Sequence, residues 1–112
     1  MTMKVLYSFR ETKNFTKQIV NLVLDDEFAR FQWLLLQLPE SGDIIPGGGG
    51  IRKIRLPAKS KGKRGGARVI YYFAVGQEKF FLLEVYAKNE KVDLNLPELN
   101  DLRKIVEEWL RK

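Results

Sequence analysis

The 112-residue chain contains no cysteine and no histidine. Without cysteine it has neither a disulfide framework nor thiolate chemistry, which fits a reducing compartment. Without histidine as well, ordinary zinc sites lose their usual ligands, so no metal or cofactor is expected. Any catalysis must draw on Lys, Arg, Tyr, Asp, Glu, Ser or backbone groups. No run of about 18 apolar residues occurs, and Met1 to Arg10 lacks the long apolar stretch of a secretory signal. The expected setting is the cytoplasm, with no membrane association. Acid is also missing locally: between Ile44 and Gln77 there is no Asp or Glu.

That acid-free stretch holds eight cations: Arg52, Lys53, Arg55, Lys59, Lys61, Lys63, Arg64 and Arg68. The whole chain is +6, so everything outside the stretch sums to −2. Such a concentrated block marks a polyanion-binding surface, because each neutralised phosphate releases condensed counterions and the gain accumulates with every contact. The plainer alternative is a solvated loop with incidental charge. Interleaved glycines and alternating apolar residues argue against a disordered tail.

At 45% hydrophobic, residues 1–112 suit one domain that buries roughly two thirds of its unfolded surface. Val5 to Phe9 alternates as a short strand. Phe15, Ile19, Leu22 and Val23 make one stripe of a helix from about Asn14. Asp25 reads as the cap of a second helix running to about Leu38, with Asp26 and Glu27 in its first turn and Pro39 and Gly42 ending it. The surplus apolar residues Trp33, Leu34 and Leu36 suit either two-sided packing or a protein partner. Gly47 to Gly50 lead into the sheet through a conformationally permissive turn. They are not a P-loop, because no Gly-Lys-Ser/Thr follows.

From Ile51 the period becomes two, placing Lys53 and Arg55 on one face of a strand and Ile54 and Leu56 on the other. Pro57 to Gly66 forms an exposed basic arm. Arg68 to Val75 and Phe80 to Ala87 form an antiparallel hairpin. Strict alternation groups Val69, Tyr71 and Phe73 with Phe81, Leu83 and Val85, and Arg68, Ile70 and Tyr72 with Glu84, Tyr86 and Lys88. Asn95 caps a C-terminal helix with Glu98 three residues on, followed by Leu99, Leu102, Ile105, Val106, Trp109 and Leu110 at helical spacing. The expected fold is α+β: two N-terminal helices, a small, mainly antiparallel twisted sheet of about four strands, and a C-terminal helix, with the helices on one face of the sheet.

If Lys53, Arg55, Arg68 and Lys88 meet at one sheet end, crowding them costs free energy that an RNA phosphate would offset. Four cations can stabilise a pentacoordinate phosphorane, and a crowded lysine can serve as base. The attacking group would be the substrate's own 2′-hydroxyl, so neither metal nor histidine is required. Tyr72 and Tyr86 suit either base stacking or plain sheet packing.

The segments Gly49 to Arg55, Lys61 to Phe73 (Lys-Gly-Lys-Arg-Gly-Gly-Ala-Arg-Val-Ile-Tyr-Tyr-Phe) and Val85 to Glu90 resemble the RelE/HigB-type toxins of bacterial type II toxin-antitoxin modules, above all a HigB-like branch. The resemblance implies a ribosome-dependent mRNA endonuclease that arrests translation. It also implies an antitoxin, often a helix-turn-helix protein, that neutralises the toxin and with it represses operator DNA. By position, Lys53, Arg55, Arg68 and Lys88 match the family's catalytic basic residues. The resemblance leaves Lys53 or Lys88 as base or charge stabiliser, and Arg55 and Arg68 as phosphate clamps. Arg52, Lys59, Lys61, Lys63, Arg64, Tyr72, Tyr86 and Asn89 would contact RNA of the message or ribosome. Many relatives carry arginine at the place of Asn89 and a tyrosine a few residues on, where Lys91, Val92, Asp93 and Leu94 stand here. The alternatives are a non-catalytic basic nucleic-acid-binding module and an inactive toxin relative.

Overall fold

The computed structural model describes residues 7–58, 66–91 and 93–111. The basic arm from Lys59 to Gly65 and the Val5 end of the first expected strand lie outside the described residues.

Strand β1 (Ser8–Glu11), the first element among the described residues, runs into helix α1 (Lys13–Leu22). Thr12 caps that helix, accepting the Phe15 N–H at 3.0 Å while donating to the Leu83 carbonyl at 2.9 Å, so the helix start is bolted to the sheet. Helix α2 (Asp25–Gln37) follows at once. Its cap is Leu24 rather than Asp25, because Glu27 reaches back to accept the Leu24 N–H at 2.8 Å, and the three acids then fill the first turn.

Among the described residues five strands make one sheet in the order β1-β5-β4-β3-β2, comprising β2 (Asp43–Ile44), β3 (Arg52–Leu56), β4 (Ala67–Ala74) and β5 (Lys79–Ala87) besides β1. Three ladders are antiparallel, and β1 runs parallel to β5. The strand beyond the expected four is the two-residue β2, too short to show a period. The four glycines form the β2–β3 hairpin turn, with positive φ at Gly47, Gly49 and Gly50.

Helices do not share one face. Helices α1 and α2 pack Phe15, Ile19, Phe31 and Leu35 on the side carrying Val69, Tyr71, Phe80, Leu82 and Val85. Helix α3 (Leu96–Leu110) packs Leu99, Leu102 and Val106 on the other side, against Ile51, Ile70, Phe81, Leu83 and Tyr86. Strand β5 is apolar on both faces, so both must be covered.

The strict alternation expected of β5 fails for a local reason. Ile70 pairs with Glu84 and Tyr71 with Leu82, so Leu83 and Glu84 together oppose one residue of β4. This β-bulge reverses the parity of β5 midway. Phe81 and Leu83 therefore lie on the α3 face, away from Val85. Arg68, Ile70, Tyr72 and Tyr86 keep the common face expected of them.

Candidate nucleic-acid interface

The register aligns Arg55 with Arg68 across β3 and β4, and Arg68 with Tyr86 across β4 and β5. Cross-strand partners stand on one face, roughly 4.5 to 5.5 Å apart at Cα. Arg55, Arg68 and Tyr86 thus make a row over three strands, on the α3 side of the sheet but beyond the helix start. Lys53 sits two residues along β3 on the same face, opposite Ile70. Lys88 follows β5 immediately, and its backbone N–H donates to the Gly66 carbonyl at 3.3 Å, beside the beginning of β4. Arg55, Arg68 and the Lys88 backbone lie at one end of the sheet, with Lys53 two residues along β3 on the Arg55 face.

Gly66 makes this junction possible. Its φ is +70°, and a Cβ there would stand 2.4 Å from the Leu56 carbonyl oxygen. Only glycine lets β4 begin so close to the end of β3.

The connection from β5 to α3 closes over the row. Asp93 pairs with Lys53 at 2.6 Å. Lys91 pairs with Glu98, and its Nζ lies 5.6 Å from the centre of the Tyr86 ring. The Lys91 hydrogen bond, aided by the Asn95 N–H, holds the Glu98 carboxyl below the usual carboxylate range. Tyr86 is 6% exposed, and its buried hydroxyl has no hydrogen-bond partner among the described residues. Burial above all, with the Asp93 carboxylate, raises its pKa, while Arg68 opposes the rise, so Tyr86 stays a proton-bearing donor. A ring this enclosed is no open stacking platform.

The other expected contacts are dispersed. Arg52 alternates to the opposite face, where it donates to the Gly42 carbonyl at 2.7 Å and the Glu40 carbonyl at 3.1 Å and pairs with the Glu40 carboxylate. There it braces the loop that Tyr71 also holds by accepting the Gly42 N–H and donating to Pro39 O. Tyr72 stacks on Phe81, with ring centres 5.9 Å apart, on the helix-covered part of the sheet. Asn89 is exposed in the turn after β5. Lys59, Lys61, Lys63 and Arg64 lie outside the described residues.

Chemically, the register puts two arginines and the buried Tyr86 in one cross-strand row, with Lys53 two residues along β3 and Lys88 just past β5. That arrangement suits a bridging phosphate dianion or a charge-rich transition state. Residues 40–112 match the family model described as the RelE toxin of the RelE/RelB toxin-antitoxin system. The chain belongs to the RelE toxin family. It is therefore a toxin of a toxin-antitoxin system, a class whose members are generally endoribonucleases acting on mRNA, and membership implies an antitoxin partner. The RelE match begins at Glu40 and takes in β2 to α3, hence the entire cationic row, while β1, α1 and α2 precede it.

Sequence reasoning names Lys91 and Asp93 only as departures from relatives and gives them no partners. Asp93 is 40 residues from Lys53, and only the return of the chain across the sheet joins them, so no local pattern marks the pair.

Proposed function

We propose that this RelE-family chain is a ribosome-dependent mRNA endonuclease, acting in the cytoplasm as a single domain without a metal, and neutralised by a cognate antitoxin, plausibly of helix-turn-helix type, that with it represses operator DNA. The observation that carries the reading is the alignment of Arg55, Arg68 and Tyr86 across three strands, with Lys53 and Lys88 at the same sheet end.

Arg55 and Arg68 clamp the scissile phosphate and oppose the charge that grows on its oxygens. The 2′-hydroxyl oxygen of the preceding ribose attacks phosphorus, the bond from phosphorus to the 5′-oxygen breaks, and the products are a 2′,3′-cyclic phosphate and a 5′-hydroxyl. Lys88, which makes no ion pair among the described residues, takes the 2′-hydroxyl proton. Lys53, ion-paired with Asp93, offsets charge and returns a proton to the departing 5′-oxygen. The ribosome aligns the message so that the 2′-hydroxyl stands in line. The arm residues Lys59, Lys61, Lys63 and Arg64 supply further contacts to RNA.

The Lys53–Asp93 pair also favours a second reading, a basic binding module that does not cut, since the carboxylate already occupies one of the lysines. Mapping message ends after inducing the intact chain separates the two. The nuclease reading expects new ends inside translated regions, reproduced by purified chain only when translating ribosomes are present. Salt-dependent RNA binding with no new ends overturns it.

A further inference from the structure

The bulge in β5 is held from the start of α1. Leu83 has no partner in the β4 register, which passes from Ile70 and Glu84 to Tyr71 and Leu82. On the other side of β5 the β1 ladder ends with Glu11 opposite Leu82, and the first turn of α1 takes over. The Thr12 N–H donates to the Leu82 carbonyl at 3.1 Å, the Thr12 hydroxyl to the Leu83 carbonyl at 2.9 Å, and the Asn14 amide to the Glu84 carboxylate at 2.7 Å. Three successive residues of β5 are thus tied to one helix start.

The Glu84 oxygen that Asn14 reaches also accepts the N–H of Val85 at 3.1 Å. Among the described residues β1 no longer flanks β5 at this point, so that N–H bonds the side chain of its own neighbour in place of a strand. Burial, more than any other influence, raises the Glu84 pKa above its ordinary 4.5, against the pull of the Val85 N–H, Lys91 and Asn14. Negative charge is therefore not what suits Glu84 to this place. What the fold uses there is an acceptor oxygen.

We infer that Glu84 is a positioning residue for the cationic row: its oxygen, joined to Asn14, fixes the bulge and with it the places of Tyr86 and Lys88. This rests on the nuclease reading for the role of Lys88. Tyr86 lies two residues past Glu84, opposite Arg68, and Lys88 two further on, its N–H on the Gly66 carbonyl. A change of one residue in register moves every later side chain of a strand to the other face, so these members of the row depend on the bulge staying where it is. Thr12 and Asn14 precede the stretch that matches the RelE model, residues 40–112, so a part of the chain outside the match sets the geometry inside it.

The test compares Glu84→Leu, Glu84→Gln and Asn14→Ala in the purified full chain, by amide hydrogen exchange and by cleavage on translating ribosomes. Gln keeps the acceptor oxygen without the charge, Leu keeps neither, and Asn14 is exposed, so its truncation spares the core. In Glu84→Leu and Asn14→Ala the Tyr86 and Lys88 amides should exchange roughly fivefold faster, the worth of one lost hydrogen bond, while Val69 in the middle of β4 and the melting temperature hold. In the same two variants kcat should fall, by up to about 10²-fold in Glu84→Leu, with KM for programmed ribosomes unchanged, because a small misplacement of a reacting group costs that much. Glu84→Gln should match the parent in both measurements. Unchanged Tyr86 and Lys88 amides in Glu84→Leu and Asn14→Ala overturn the inference, as does faster exchange at every amide together with a falling melting temperature, which would make the contact a support of the fold alone. A loss in Glu84→Gln equal to that in Glu84→Leu also overturns it. A parent that does not cleave removes the nuclease reading alone, and the Tyr86 and Lys88 amides still decide whether Glu84 sets their place.

Discussion

Arg55 and Arg68 are direct cross-strand partners, two cationic residues set opposite each other by the β3–β4 register. Like charges placed opposite each other on a sheet destabilise it by roughly 0.2 to 1 kcal/mol. A fold does not gain from this pairing, but an anion between the two does. Arg55→Ala should leave the melting temperature unchanged or raised, yet lower message cleavage by about 10²- to 10³-fold, the usual loss for one transition-state donor. Arg68→Ala should lose cleavage to a similar extent. Retained cleavage in both variants removes the clamp.

Arg52 shares the charge of that block but stands on the opposite face from Lys53 and Arg55. Its bonds to Glu40 and Gly42 brace the α2–β2 loop from the opposite face. Arg52→Ala should cost about 1 kcal/mol, read as a drop of about 4 °C in melting temperature, with message cleavage kept. A loss of cleavage without a loss of stability would return Arg52 to the RNA contacts.

Tyr86 carries a sealed hydroxyl with no partner among the described residues. An orphaned donor costs about 1 to 3 kcal/mol, so Tyr86→Phe should melt no lower than the parent, and thermal denaturation checks this. If the phenol serves the phosphate above it, the same variant cleaves less. A stable variant with reduced cleavage assigns the hydroxyl to function, whereas a destabilised one shows that it is bonded after all.

Glu98 gives a pH signature. Its folded pKa lies below the ordinary value of 4.5, chiefly through Lys91. The stabilisation is therefore fully present above about pH 4.5 and is lost as pH falls through the folded value. Glu98→Gln should be less stable than the parent at neutral pH, with the gap closing as acid is added, and closing also in high salt because the pair is partly exposed. Urea melts at a series of pH values measure both. A gap that does not depend on pH would mean the carboxylate's charge is not what Lys91 holds.

The sequence made legible whatever rests on short-range period. Phe15, Ile19 and Leu22 on α1, and Leu99, Leu102 and Val106 on α3, are the buried stripes their spacing implied. The Asn95–Glu98 capping box formed as written, with Asn95 accepting the Glu98 N–H at 2.8 Å. The alternation puts Lys53 and Arg55 on one face, as the register has them, but the sequence groups Arg52 with the RNA contacts, because its bonds to Glu40 and Gly42 arise only in the fold. What stayed hidden depended on the third dimension. An unequal residue count between β4 and β5 leaves no trace in either strand alone, so Phe81 and Leu83 were assigned to the wrong side. That error concealed the need for a helix on each face. The Leu24 cap was missed because Glu27 competes with the more familiar Asp25, and Asp93 because its partner comes from a distant strand.

The extra residue in the middle of β5 works as a phase-setter for everything downstream. Excising one codon there would rotate the rest of the strand by half a turn, turning the position after the strand toward the α1 and α2 side and Val85 toward the face that carries Arg55 and Arg68. A reading frame so shortened would encode nearly the same composition and a disarmed protein, a route by which a cell could escape its own poison at the cost of a single amino acid.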